Sequence, residues 1–320
     1  MKKVKKKVNW WKVIAIVLLV IVACSLILKG CGKFLSNIQR VPEDYTNKVK
    51  TGAELEANYM AMGSHEVGYM EYAALMSFGK YEIFYPADIS EIEGTLPVVV
   101  FVNGTGTGGS KYTALQKHMA SWGFITIATE EAHAWSGFSA EMSVRFLEKL
   151  NALEGEYYDK ENMFYGKIDL DHIGITGHSQ GGFGVVDAIT EQQHKENYKA
   201  AIILSSAPSS VENDFQWKAD PSLIRIPTLI LGSTGKFDSA IASLEGMQNV
   251  YESIADDVDK VLARRIDVDH GEMLYYGDGY VTAWFMHYLQ GDIEAGEAFS
   301  SNNAEIFSNK NWQDSNSNIQ

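Results

Sequence analysis

The apolar run His172 to Thr176 leads without a break into Gly177-His178-Ser179-Gln180-Gly181, and an apolar helical pattern through Phe183, Val186 and Ile189 follows it. A G-x-S-x-G segment between a buried strand and a helix constrains a chain severely. The serine must sit on a strained turn that lifts its hydroxyl out of the backbone, and the glycines on either side let strand and helix cross at a distance that Cβ atoms would forbid. Gly182 and Gly184 extend that close approach. A glycine-rich turn holding a serine by coincidence is the competing reading. The strand before and the helix after are what the motif requires, and they favour Ser179 as a nucleophile.

The rest of the chain supports the same architecture. Strands are expected at Tyr81 to Tyr85, Pro97 to Val102, Phe124 to Ala128, His172 to Thr176, Ala200 to Ser205, Ile226 to Leu231 and Leu262 to Asp267. Val98-Val99-Val100-Phe101-Val102 and Thr228-Leu229-Ile230-Leu231 lack polar alternation, as strands covered on both faces should. Helices are expected at Tyr112 to Ser121, Ser139 to Leu153, Gly181 to Thr190, Ser239 to Ile254 and Tyr280 to Leu289. Such alternation predicts an α/β fold with a mostly parallel central sheet and helices on both faces.

An activated serine needs a base, and in a fold with this elbow the partners follow in the order serine, acid, histidine. Of the eight histidines, His270 in Asp267-Val268-Asp269-His270-Gly271-Glu272 directly follows the last expected strand. His287 lies later, on an aromatic helical face with Trp284 and Tyr288 that reads as packing. The acid is expected after the preceding strand, where Asp238 is the first carboxylate of Leu231 to Asp238. Asp238 could instead cap a helix starting near Ser239. Asp214, Asp220, Asp267 and Asp269 are the fallback acids.

An oxyanion hole takes one backbone N–H from the residue after the nucleophile and one from the loop after an early central strand. Gln180 supplies the first. The second is expected in Asn103-Gly104-Thr105-Gly106, with Thr105 preferred over its glycine neighbours. Substrate contacts are expected at Gly104 and at Trp135, among the loop residues Glu130, His133, Trp135 and Phe138, and at Ser206 to Ser210. Trp135 could equally pack in the core. The same loop presents a rival motif, since Gly104 to Gly109 matches G-x-G-x-x-G with Glu130 about twenty residues on, the pattern of a dinucleotide site. That reading leaves Ser179, Asp238 and His270 without a purpose, and the strand before the loop is not the first of the domain.

Taken together, the elbow, the Asn103 to Gly106 loop, Asp238 and Asp269-His270-Gly271 resemble the α/β hydrolases related to polyester hydrolases, chlorophyllases, dienelactone hydrolases and platelet-activating-factor acetylhydrolases. The resemblance runs from about Tyr81 to Asp292 and includes Val281-Thr282-Ala283-Trp284-Phe285, which is similar to the relatives' C-terminal helix. It implies an α/β-hydrolase fold without a large cap domain, an open cleft, and cleavage of carboxylic esters by a serine esterase. Polyester hydrolases usually carry an aromatic residue where Thr105 stands and a disulfide near the C-terminus, and this chain has neither. The same triad could serve a peptidase or an acyltransferase, and a non-catalytic binding module is the reading from a different class.

Composition narrows the partners. Formal net charge is -14, and six of the 27 basic residues are lysines before Val13, leaving 21 against 41 acidic residues in the remaining chain. A body so acidic repels nucleic acid, so a small-molecule ester is the expected partner. Oligomeric state is left open. The only cysteines, Cys24 and Cys31, lie in or beside the N-terminal apolar run, which excludes a thiolate zinc site or a cysteine nucleophile in the body. No H-e-x-x-H spacing occurs, and neither metal nor cofactor is expected.

At the N-terminus, five lysines within Met1 to Lys7 precede a 21-residue stretch from Val8 to Leu28, interrupted by Asn9, Lys12 and Ser25. At ~1.5 Å per residue it matches a ~30 Å hydrocarbon core, with the lysines on the cytoplasmic side. The expected arrangement is a cytoplasmic basic stretch and transmembrane signal anchor (1–31), a stalk (32–56), an extracytoplasmic catalytic domain (57–299) and a loose polar tail (300–320). A lipoprotein or a secreted form after cleavage is the alternative.

Overall fold

The computed structural model describes residues 40–152, 162–211, 217–300 and 303–320. A nine-stranded sheet runs through them: β1 (Val67–Ala73), β2 (Lys80–Pro86), β3 (Leu96–Val102), β4 (Ile125–Thr129), β5 (Ile168–His178), β6 (Tyr198–Leu204), β7 (Thr228–Ser233), β8 (Lys260–Arg265) and β9 (Trp312–Ser317). Their order is β1-β2-β4-β3-β5-β6-β7-β8-β9. The strands from β4 across to β8 are parallel to their neighbours, while β1, β2 and β9 are antiparallel additions at the two edges.

Helices cover both faces, which is why the central strands carry no polar alternation. Val98, Val100 and Ile175 face one apolar layer, completed by α4 (Phe138–Asn151), α5 (Gln180–Thr190) and α7 (Leu244–Ser253). Val99, Ile202 and Leu229 face the other, completed by α3 (Thr113–Ser121) and α8 (Asp278–Gln290). Trp284 and Phe285 of α8 are fully buried. Each of the seven expected strands is present. The helix expected over Ser239 to Ile254 is instead two, α6 (Lys236–Ile241) and α7, because the chain leaves the helix at Ala242 and the Ser243 hydroxyl caps a new N-terminus by accepting from the Gly246 amide at 3.0 Å.

Two expectations at the ends are corrected. Residues 40–56 are no free stalk: Val41 and Tyr45 are buried, a short α1 (Tyr45–Lys48) follows, and α2 (Glu54–Met60) lies against α8, the Tyr59 hydroxyl donating to Asp292 at 2.8 Å. The end of the chain is not a loose tail either. Strand β9 closes the sheet beside β8, and Trp312 is buried, its indole N–H donating to Glu56 at 2.8 Å. Glu56, fully buried, also accepts from the Gly52 amide at 2.6 Å and the Asn309 amide at 2.9 Å and pairs with Arg265 at 3.2 Å. The polar composition of both segments concealed this shared carboxylate.

Among the described residues no helix is long and apolar enough to cross a membrane, and the N-terminal run from Val8 to Leu28 lies outside them.

The sheet places its functional edge by topology alone. After β3 the chain turns to one side to make β4, and β5 lies on the other side of β3, so the loops leaving β3 and β5 diverge and open a crevice at the carboxyl ends of these strands.

Candidate active site

Ser179 lies at that crevice. It follows β5 directly and precedes the first residue of α5, with φ 58° and ψ -123°, a conformation costly for a residue with a side chain. Close packing around the turn holds it there. A Cβ on Gly177 would stand 2.3 Å from the Gly181 carbonyl oxygen, and one on Gly181 would stand 2.2 Å from that of Val102. Strand β3, strand β5 and helix α5 therefore meet with only backbone between them, as the glycine spacing requires.

His270 and Asp238 arrive from the next strands along the sheet. Asp238 falls in the first turn of α6, just beyond β7, and is fully buried. Its helix is capped by Gly235, so the carboxylate is free to turn inward. One oxygen meets Nδ1 of His270 at 2.7 Å, and the other accepts from the Ser233 amide at 2.5 Å and the Ser233 hydroxyl at 3.0 Å. Burial alone would raise the Asp238 pKa; His270, the nearby Ser205 hydroxyl and the Ser233 amide outweigh it and hold the carboxyl below the ordinary carboxylate range. An ionised Asp238 can only accept, so this bond orients the His270 ring through its Nδ1–H.

Asp269, one of the fallback acids, has a different task. Its Oδ1 accepts from the Asp238 amide at 3.1 Å and the His270 amide at 2.8 Å, tying the acid loop to the base loop. His178, which reads in sequence as the variable residue of the elbow, is buried with its ring centroid 4.5 Å from that of His270, and its Nε2 lies 2.8 Å from the His270 carbonyl oxygen. Burial, with the nearby His270 adding to it, depresses the His178 pKa to about 3. The ring is therefore neutral and donates its Nε2 proton to that carbonyl.

The amides of the β3 loop can be sorted by what they already bind. Gly104 donates to the Tyr112 hydroxyl at 3.1 Å, Gly106 to the Ala132 carbonyl at 2.8 Å and Thr107 to the Gly104 carbonyl at 3.2 Å. Among the described residues the Thr105 amide has no such partner, and the Gln180 amide, in the first turn of α5, has no intrahelical one. These are the two N–H groups the sequence assigned to an oxyanion. The rival reading of this loop as a phosphate cradle fails on the same accounting: Glu130 occupies it, accepting from the Ser110 amide at 2.9 Å and the Ser110 hydroxyl at 3.1 Å, so a carboxylate stands where phosphate would lie.

Ser179 and His270 open onto one cavity of about 380 Å³, to which Gly104, Thr105 and Tyr112 contribute one wall and Phe237, Ile241 and Leu274 another. Trp135, expected in the substrate wall, is not part of this lining. It is half-buried and packed on the core layer of α4 and α5. The apolar wall comes instead from α6 and the segment after His270. Phe237 is 58% exposed with its ring edge-on to His270 at 5.4 Å, a position that a search for buried aromatics passes over.

Comparison with known proteins agrees with this fold. The model of a family described as PET hydrolase-like matches residues 44–318. A bis(hydroxyethyl) terephthalate hydrolase of Streptomyces coelicolor (strain ATCC BAA-471 / A3(2) / M145) is 28% identical over 172 residues, which cover 53% of this chain and 49% of that protein. The match thus spans about half the length of this curated relative. The serine elbow, the parallel sheet and the extent of the family match, which takes in every strand from β1 to the end of β9, lead to one conclusion: the chain belongs to the PET hydrolase-like family of α/β hydrolases.

Proposed function

We propose that the protein is a serine hydrolase that cleaves small carboxylic esters through an acyl-enzyme intermediate. The observation that carries this reading is the His270–Asp238 bond of 2.7 Å at the cavity onto which the strained Ser179 opens. Nε2 of His270 takes the Ser179 hydroxyl proton as Oγ attacks the ester carbonyl, and the resulting oxyanion is held by the Thr105 and Gln180 amides. The C–O bond to the alcohol then breaks, and His270 returns the proton to the departing alkoxide. Water, deprotonated by His270, attacks the acyl-Ser179 carbonyl, releasing the carboxylic acid and restoring the serine. Asp238 stays ionised throughout and stabilises the imidazolium formed in each half.

The relative's named action on bis(hydroxyethyl) terephthalate supports a small ester with an apolar acyl part, for which Phe237, Ile241 and Leu274 offer a surface. The basic and apolar N-terminal sequence supports attachment to the cell membrane with the hydrolase domain on the extracytoplasmic side.

The test is turnover of 4-nitrophenyl acyl esters by the full chain and by Ser179→Ala, together with labelling by a fluorophosphonate. The reading expects labelling at Ser179 and a loss of turnover of roughly 10⁴-fold or more on substitution. Turnover that persists in Ser179→Ala would refute it.

A further inference from the structure

The chain contains five arginines, and four of them are engaged. Arg145 meets Glu141 at 2.6 Å, Arg264 meets Asp314 at 2.6 Å, Arg265 meets Glu56 at 3.2 Å, and Arg225 donates to the Ser222 carbonyl at 2.7 Å. The fifth, Arg40, has no ion pair or side-chain hydrogen bond among the described residues, and it lines the same cavity as Ser179 and His270. Its backbone is anchored: the Arg40 amide donates to the Lys111 carbonyl at 3.3 Å, and the adjoining Val41 and nearby Tyr45 are buried. Arg40 is thereby tethered at the cavity by its backbone, with the guanidinium donors unspent.

The surroundings sharpen the point. In a chain with 41 acidic residues, none of the described residues lining this cavity is a carboxylate. Asp238, the nearest acid to the chemistry, is fully buried behind His270 and committed to it and to Ser233. The cavity is thus locally cationic inside an anionic body, and the Arg40 charge reaches far enough to help keep His178 neutral, after burial and His270. A planar fork of donors beside an apolar wall suits a molecule with an apolar middle and an anionic end.

We infer that Arg40 is a specificity-determining residue that binds an anionic group, a carboxylate or a phosphate, on the ester substrate. The preferred substrates are then charged esters such as half-esters of dicarboxylic acids, with the scissile carbonyl at Ser179 and the anion at the rim. This inference rests on the proposed esterase activity and adds to it the charge of the substrate. The exposed position of Arg40 makes the contribution moderate and sensitive to salt.

The experiment compares, in the full chain kept in nonionic detergent, kcat/KM for 4-nitrophenyl hydrogen adipate with that for its methyl ester, of nearly the same shape without the charge. A third ester with a terminal phosphonate in place of the carboxylate distinguishes the two anions. The ratio of charged to uncharged ester is internal to each preparation and independent of how much of a variant folds. It is expected to favour the charged esters in the parent, to fall about tenfold in Arg40→Ala, to recover partly in Arg40→Lys, and to invert in Arg40→Glu. Raising the ionic strength should erode the preference in the parent and not in Arg40→Ala. A parent without charge preference, or a ratio unmoved by Arg40→Ala, would overturn the inference while leaving the esterase reading intact. Failure of all three esters, with Ser179 unlabelled by fluorophosphonate, would overturn both.

Discussion

At the scale of single residues, the site depends on two buried groups held in fixed charge states. Asp238 has no exposure and keeps its charge through His270 and Ser233, so replacing it with asparagine preserves shape while removing the charge that selects the imidazole tautomer. By analogy with serine proteases, Asp238→Asn should lower kcat by roughly 10⁴ with little change in KM. Steady-state kinetics on a 4-nitrophenyl ester would check this, and a loss of less than tenfold would place the acid elsewhere. His178 is the opposite case, a buried group held neutral. In the unfolded chain it takes a proton near the ordinary histidine value of ~6.5, whereas in the folded chain it does so only near pH 3. The unfolded state therefore binds more protons as pH falls below ~6.5, and stability declines on acidification through that window. At ~1.4 kcal/mol per pH unit the decline from this one group is about 2 kcal/mol between pH 6.5 and 5. His178→Gln keeps a donor for the His270 carbonyl but cannot titrate, so its urea midpoint should fall less than the parent's over the same interval. Equal declines would mean that His178 is not the group responsible.

At the scale of elements, the ends of the chain are joined through Glu56. The carboxylate takes bonds from α2's own approach at Gly52, from Arg265 on β8, and from Asn309 and Trp312 leading into β9. Trp312→Ala removes a buried indole and one of these bonds together, a loss of about 3–5 kcal/mol, which for a domain of this size lowers Tm by roughly 10 °C. Differential scanning calorimetry would measure it; a shift under 2 °C would show that β9 is peripheral to stability. None of this was legible in the sequence, because it rests on pairings over more than 200 residues between polar segments with no apolar periodicity. The central strands, by contrast, could be read directly, since burial on both faces writes itself as uninterrupted Val, Ile and Leu. The elbow was legible for a similar reason: Gly177 and Gly181 are dictated by backbone contact within a few residues of Ser179. Chain order led to His270 and Asp238 as a pair, and they meet in the fold. What sequence could not supply was side-chain direction. Trp135 and Phe237 are both aromatic residues shortly after strands, and only the start of α6 at Lys236 turns Phe237 toward the cavity while Trp135 packs on the core.

At the scale of the whole molecule, two parts of the chain follow different physics. Residues 40–320 form one compact unit with its own sheet and apolar layers on both faces, so they need nothing from residues 1–39 to bury a core. The first 39 residues combine clustered lysines with the apolar run from Val8 to Leu28, and the proposed membrane attachment rests on that composition. Separating them should separate location from activity. The full chain should sediment with membranes, resist extraction by high salt or carbonate, and be released by detergent. A chain of residues 40–320 should stay in the supernatant and hydrolyse a soluble 4-nitrophenyl ester with kcat/KM within about twofold of the full chain, because Ser179, His270, Asp238, Thr105 and Gln180 all lie within the compact unit. Salt-extractable full chain would reduce the N-terminus to a peripheral electrostatic contact made by its lysines. Activity lost from residues 40–320 despite a cooperative thermal transition would show that the first 39 residues are needed for turnover and not for membrane attachment alone.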